Sequence, residues 1–337
     1  MQQGKGLTRR TALVGLAASG FAAPSALAAI ATDPAKLKPG QFIWTPDAAP
    51  RGPLSIVVSI KSQRLFAHRN GIKVAVSTVS TGKKGHETPT GVFTVLEKDK
   101  DHVSNIYEDA EMPFMNRLTW SGIALHAGKL PGYPASHGCV RLPYKFAELL
   151  YSITKVGTPV VIAGSYTDPE SVSHPGVFGG LYDRAEFADI ADTKRKELAS
   201  ADDSAPKPAT SVLVSTKDRK IVVMQNGDVV AEGSVAISNP DKPFKSNVFI
   251  LSGTDSAARG LRWEAIGYDD GDGALLPDAS TIERIHGGPD VVAAIRERMV
   301  PGMVLVITDD SITRETQSGK DFVVMTTAAA DDEPPQK

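Results

Sequence analysis

Ser55-Ile56-Val57-Val58-Ser59-Ile60, then Arg64-Leu65-Phe66-Ala67-His68, then Asn70-Gly71: this stretch decides the fold. Two short runs rich in β-branched and apolar residues precede a dipeptide that favours the positive φ angles of a tight hairpin turn. A third strand returns over Lys73 to Ser80. Thr81-Gly82-Lys83-Lys84-Gly85 reads as a loop, and Thr88-Pro89-Thr90-Gly91 turns the chain into a further strand, Val92-Phe93-Thr94-Val95-Leu96. Lys145 to Ile153 places Phe146, Leu149, Leu150 and Ile153 on one helical face, and Thr158 to Ile162 closes the unit as a strand. The expectation is a mainly β domain with small helices over residues 54–164.

The same pattern recurs downstream. At one constant offset Ser55, Val58, Ser59 and Lys61 fall on Ser211, Val214, Ser215 and Lys217, Asn70-Gly71 falls on Asn226-Gly227, and Val92-Phe93 falls on Val248-Phe249. Slightly smaller offsets bring Leu118, Trp120 and Ile123 onto Leu261, Trp263 and Ile266, and Val160-Val161-Ile162 onto Leu305-Val306-Ile307. The expectation is a second, degenerate β-rich repeat over residues 210–310, a duplication whose copies each close a core. Between them, residues 165–209 read as a linker, with a charged helical stretch near Asp183 to Leu198. Residues 29–53 read as a lead-in and 311–337 as a C-terminal tail, acidic and disordered from Ala328.

The chain has 337 residues, enough for two ordinary domains, and its 41% hydrophobic content is that of a globular protein. A net charge of −2 gives no bulk reason to expect nucleic-acid binding. Residues 1–28 read as a signal peptide. Lys5, Arg9 and Arg10 form a positive start, Ala12 to Ala23 is apolar, and Ala26-Leu27-Ala28 offers small side chains for cleavage. Thr8-Arg9-Arg10-Thr11 matches the twin-arginine pattern of export. The apolar run is shorter than the ~20 residues of a membrane-spanning helix. The protein is therefore expected outside the cytoplasm, in the periplasm or cell envelope.

One cysteine, Cys139, excludes an intramolecular disulfide and any site needing two cysteines. An unpaired thiol in an exported protein is either buried and inert or kept for its reactivity. Its neighbourhood favours reactivity: His126 lies upstream, Ser136-His137-Gly138 precede it directly, and Arg141 follows. A thiol attacks amides as the thiolate, so a nearby imidazole or positive charge is expected to lower its pKa. A histidine takes the thiol proton and passes it to the leaving amine. Gly138 removes bulk beside the nucleophile, and backbone N–H groups around Gly138 and Cys139 are placed to hold an oxyanion. On an extended backbone Arg141 shares a face with Cys139, where its guanidinium suits a substrate carboxylate. Zinc is the rival chemistry for His126, His137 and Cys139; the residue pattern is read here with no metal and no cofactor.

The array of His126 followed by Ser136-His137-Gly138-Cys139 resembles the signature of the YkuD-type L,D-transpeptidases, as do Asn70-Gly71, Ser80-Thr81-Gly82 and Thr88-Pro89-Thr90-Gly91-Val92-Phe93. The likeness covers about residues 54–163. It implies a β-sandwich with a small helix, a peptidoglycan stem peptide as substrate, and an acyl-enzyme on the cysteine. Carried over by position, Cys139 is the nucleophile and His126 the general acid/base, with His137, Ser136 and Gly138 in support. Arg141, Tyr133 and Trp120 are candidate substrate-binding residues, with packing an equal alternative for the two aromatics. A flap from about Asp101 to Arg117, with Tyr107, Met112, Phe114 and Met115, is expected to cover the cleft. Carbapenem-like β-lactams are implied as covalent inhibitors.

In the second copy His126 aligns with Asp269, and Cys139 falls between Ile282 and Arg284. Without a thiol that copy cannot run thiolate chemistry, and a binding or stabilising role is expected. For the whole chain the alternatives are a hydrolase on the same scaffold, in which water resolves the acyl-enzyme, and a non-catalytic wall-binding protein with an inert Cys139.

Overall fold

Strands buried on both faces carry continuous apolar runs rather than alternating ones, and the central strands here are of that kind. The computed structural model describes residues 1, 33–104, 110–174, 209–226, 228–255, 260–312 and 325–326. Beyond Met1 the expected signal peptide lies outside the described residues, as do the stretch near Asp183 to Leu198 and the acidic end from Ala328. The first half contains β1 (Phe42–Trp44), β2 (Leu54–Ser59), β3 (Arg64–Arg69), β4 (Ile72–Thr78), β5 (Gly91–Thr94), β6 (Glu97–Val103), β7 (Glu111–Arg117), β8 (Ala124–Ala127), β9 (Val140–Leu142), helix α1 (Tyr144–Ile153) and β10 (Pro159–Ala163). The second contains β11 (Ser165–Tyr166), β12 (Glu170–His174), β13 (Thr210–Ser215), β14 (Lys220–Gln225), β15 (Asp228–Ile237), β16 (Ser246–Asp255), β17 (Gly260–Asp269), helix α2 (Ala279–Glu283), β18 (Ile285–Gly287), helix α3 (Pro289–Glu297), β19 (Val304–Thr308) and β20 (Met325–Thr326). The architecture is mainly β, as the sequence predicts.

Three sheets form. The first runs β1-β4-β3-β2-β10-β5-β20, the second β11-β17-β16-β19-β13-β14-β15-β18 with β12 also on β17, and a small third runs β6-β7-β8-β9. One face of the first sheet, with Ile56, Val58, Leu65, Phe93 and Ile162, packs against the small sheet and against Phe146 and Leu150 of α1. Its other face, with Val57, Val92 and Val161, packs on Leu213, Val248, Ile266 and Val306 of the second sheet. The far face of the second sheet buries Val214, Phe249, Trp263 and Leu305 under Val291, Val292 and Ile295 of α3. Each such fully buried side chain contributes roughly 1.5–3 kcal/mol, so the two halves share a core as well as owning one each.

The two large sheets have the same strand order around a parallel pair: β4-β3-β2-β10-β5 in one, β15-β14-β13-β19-β16 in the other. Val160 faces Ile56 in the first pair and Leu305 faces Val212 in the second. The register slips between Ala67 and His68 in one and between Val223 and Met224 in the other. Gln63 and Asn70 have φ of 50°, and Arg219 and Asn226, the residues at matching positions, have φ of 53°. Ser80 bridges Arg141, and Ala236 pairs with His286 at the matching place. This last correspondence puts Arg284 where the first half has Cys139.

Several expectations need correction. Leu118, Trp120 and Ile123 do not share a place with Leu261, Trp263 and Ile266. The former lie in the turn between β7 and β8, whereas the latter lie in β17, which hydrogen-bonds along β16 in the second sheet. The pairing of His126 with Asp269 falls with that alignment, because His126 sits in the small sheet and Asp269 ends β17. The lead-in supplies an edge strand, β1, whose Phe42 and Trp44 rings pack on Phe146 at 5.4 and 5.8 Å. Residues 165–174, expected to open a linker, pair with β17 as β11 and β12. Within the expected tail, Met325 and Thr326 pair with Val92 and Gly91.

Candidate active site

The small sheet gathers the residues that the sequence singled out. β8 and β9 run parallel with Leu125 facing Val140 and His126 facing Arg141. Cys139 directly precedes β9, so it stands beside Ala124, two residues from His126 on the same face. The loop before it is tightly bonded. The Ser136 hydroxyl donates to the Cys139 carbonyl at 2.5 Å and accepts from the Gly138 N–H at 3.2 Å. The Thr88 hydroxyl donates to the Gly138 carbonyl at 2.7 Å and accepts from the Gly82 N–H at 2.8 Å. Gly138 itself has φ of 112°, and a Cβ there would meet Ile123 Cδ1 at 2.8 Å. Glycine is favoured there by the backbone conformation.

His126 is buried, and its Nδ1 lies 2.8 Å from the Ala127 carbonyl. A carbonyl only accepts, so Nδ1 carries the hydrogen and Nε2 keeps the lone pair. Burial lowers the His126 pKa to about 4, aided by the charges of Arg141 and His102 and opposed by the Ala127 bond. The Cys139 thiol donates to the Gly122 carbonyl at 3.2 Å. It is pushed up to about 11, first by burial, against the pull of the Ala124 backbone and of Arg141 and Arg117. This corrects the expectation of a lowered thiol pKa. The imidazole is neutral and supplies no charge, and desolvation outweighs the two guanidinium groups. The resting site is therefore a neutral thiol beside a neutral base.

Side chains of β7 and β8 pack against the sulfur. Met112, Met115 and Ala124 form a buried cluster, and Cys139, itself only partly buried, packs against it. Met112 and Met115 would point to opposite faces of a regular strand. Phe114 between them has φ of 57°, a left-handed conformation that turns both toward the thiol and sends its own ring to Tyr144 and Tyr151 of α1. The expected flap is thus strand on both sides of residues 105–109, which with Tyr107 lie outside the described residues.

The other candidates fall around this centre. Arg141 packs along Gly128, where a Cβ would stand 3.0 Å from its Cγ and Cδ. His137 is exposed and sets its ring edge-on to His86 at 4.8 Å. Its pKa is lowered by desolvation and by Lys83, His86 and Arg141. Gly138 has its N–H committed to Ser136, which removes one of the two expected oxyanion donors. Tyr133 and Trp120 keep 62% and 48% of their surface exposed, so neither is a core residue. Among the described residues no group of three or more His, Cys, Asp or Glu is placed to hold a metal. Three residues were missed: Thr88, whose motif was visible but not its role; Arg117, bonded to Glu97 at 2.7 Å and lying under Trp120 at 5.6 Å; and His102. The last two are distant in sequence from Cys139 and carry no local signal.

Residues 53–162 match the L,D-transpeptidase catalytic domain, YkuD. This segment belongs to that family. Over 125 residues the chain is 27% identical to L,D-transpeptidase 1 of Mycobacterium tuberculosis (strain ATCC 25618 / H37Rv), a match covering 32% of this chain and 49% of the relative. The chain thus spans about half the length of the curated relatives it matches. Among solved structures, an L,D-transpeptidase from Stackebrandtia nassauensis is similar at 26% identity, with 35% of this chain and 58% of that one covered and a TM-score of 0.31. L,D-transpeptidase 3 from Mycobacterium tuberculosis in complex with a faropenem-derived adduct is similar at 23% identity, with coverages of 33% and 60% and a TM-score of 0.32. The YkuD segment holds Thr88, His102, Arg117, His126, Ser136, Cys139 and Arg141, so every group of the site described above lies within it.

Proposed function

We propose that this protein is an exported L,D-transpeptidase that acts on peptidoglycan stem peptides through a Cys139 acyl-enzyme. The observation that carries the reading is the strand register that sets the single thiol two residues from an imidazole whose Nδ1 is tied to the Ala127 carbonyl, leaving Nε2 as a base. A substrate carbonyl enters beside Cys139, His126 takes the thiol proton, and sulfur attacks. His126 then hands that proton to the departing amine, and a second amine resolves the thioester. A neutral pair suits this order, since the thiolate forms only as the substrate arrives. The Cys139 N–H stabilises the oxyanion, aimed by the bonds from Thr88 and Ser136 to the carbonyls of Gly138 and Cys139. Arg141 binds a carboxylate of the stem, and Trp120 and Tyr133 line its path. Carbapenem-like β-lactams acylate the same sulfur. Export is supported by the basic, then apolar, N-terminus.

The second half is read as a duplicated copy that has lost its chemistry, supported by the shared strand order, register slip and turn positions. Arg284, in the place of Cys139, donates to the carbonyls of Ser238, Asn239 and Lys242 and stacks on the Phe244 ring at 3.6 Å. A structural arginine thus stands in place of the thiol, and the role of this copy is to cover the outer face of the first sheet. Incubating the purified protein with a stem tetrapeptide and an amine acceptor tests the main reading by product mass. A cross-linked product that requires Cys139 supports it. A product formed equally by Cys139→Ala overturns it, and a hydrolysed product alone reassigns the protein to the peptidases.

A further inference from the structure

The hairpin that covers Cys139 carries an imidazole–carboxylate pair that the mechanism above leaves unused. On β6, His102 Nδ1 lies 3.2 Å from Asp99 Oδ2, and the His102 side chain is only 14% exposed. Its cross-strand partner is Met112, one of the two methionines packed against the thiol. Asp99 in turn faces Met115, the other one. The hairpin thus sets both members of the pair opposite the two methionines that pack on the sulfur. His102 also stands near enough for its charge to oppose protonation of His126. A carboxylate only accepts, so His102 Nδ1 carries the hydrogen, which leaves Nε2 as the nitrogen that exchanges a proton with the acceptor. His102 is mostly buried while Asp99 keeps 44% of its side chain exposed, so the pair links the covered side of the hairpin to solvent.

We propose that His102, oriented by Asp99, is a second base of the site, serving the half-reaction in which an amine acceptor resolves the acyl-enzyme. This rests on the acyl-transfer reading above. The amine nitrogen bonds to the acyl carbon, and the carbon–sulfur bond breaks with its electron pair leaving on Sγ. The proton released by the nitrogen goes to His102 Nε2 before it returns to the sulfur. His126 remains the base of the first half-reaction, on the strand beside the thiol, and His102 serves the acceptor from the covering hairpin. The groups facing this centre are Arg141 from β9, Arg117 from β7, Asp99 from β6, and His126 from β8.

The test separates the half-reactions in the full-length protein. Acylation of Cys139 by a carbapenem is followed by intact mass, and transfer from a stem tetrapeptide to amines of graded basicity by product mass. His102→Gln is expected to retain carbapenem acylation within about 2-fold and to lose transfer by ~100-fold, the lower end for a general base. Exogenous imidazole should restore part of that loss, and Asp99→Ala should show a smaller loss of the same kind. Acylation and transfer falling together by one factor would mean that His102 merely holds the hairpin, and would overturn the proposal. So would transfer at the parental rate. A parent thiol that no carbapenem modifies, with no transfer product, overturns the acyl-transfer reading and this inference with it.

Discussion

Replacing Thr88 with valine keeps shape and volume while deleting one hydroxyl. That hydroxyl is the only group described as holding both the Gly138 carbonyl, at 2.7 Å, and the Gly82 N–H, at 2.8 Å. Thr88 is buried, and its bond to Gly138 is shielded from water, so the carbonyl has no substitute partner. A buried polar group left unpaired costs ~1–3 kcal/mol. Gly82 is half-exposed and can turn to solvent, so it adds less. The expected loss is ~2–4 kcal/mol in denaturant unfolding. Freed from that anchor, the Gly138–Cys139 peptide can rotate, and its N–H no longer points at the oxyanion. Losing one such donor typically slows acyl transfer by ~100-fold. Carbapenem acylation followed by mass measures this second effect separately. Thr88→Ser keeps both bonds and should stay near the parent in both assays. A valine variant that unfolds within ~0.5 kcal/mol of the parent and acylates at the parental rate would refute this account of the loop.

His126 and His68 are both buried and both held down to a pKa of about 4, in each case chiefly by burial, from an ordinary 6.5. The unfolded chain therefore binds more protons than the folded one between those values, and stability should fall as pH drops from about 6.5 to about 4. Each residue accounts for up to ~3 kcal/mol, so His68→Leu should flatten the acid side of a stability–pH curve; an unchanged slope would count against it. In the second half, Arg284→Ala removes three carbonyl contacts and a cation–π contact. It should cost ~2–5 kcal/mol of stability yet leave carbapenem acylation unchanged below the new transition, which unfolding and mass measurements can check together. A charge at the shared core, Val161→Asp, should expose or disrupt both sheets at once; two well-separated transitions, with the second intact, would contradict the shared core.

The first sheet was legible because its signals are local. Asn70-Gly71 sets a turn, and runs such as Ile56-Val57-Val58 are apolar without alternation because both faces are covered. The candidate site was readable as a cluster for the same reason: Ser136, Gly138, Cys139 and Arg141 lie within one loop and strand. What the sequence hid depends on distant pairing. Met112 and Met115, which pack on Cys139 with Ala124, act together because Phe114 adopts φ of 57°, a conformation that nothing in its residue type announces. The match of Leu118-x-Trp120 with Leu261-x-Trp263 misled, since apolar spacing is the same in a turn that packs inward and in a strand. β17 could take a place in the main sheet because β16 offers it ten residues of edge.

Intact-mass measurement after carbapenem treatment, on the parent and on Cys139→Ala, probes most directly whether the sulfur forms the acyl bond. A single covalent adduct on the parent, mapped by peptide digestion to Cys139 and missing from the alanine variant, is the predicted result. An adduct that persists on the alanine variant would contradict it.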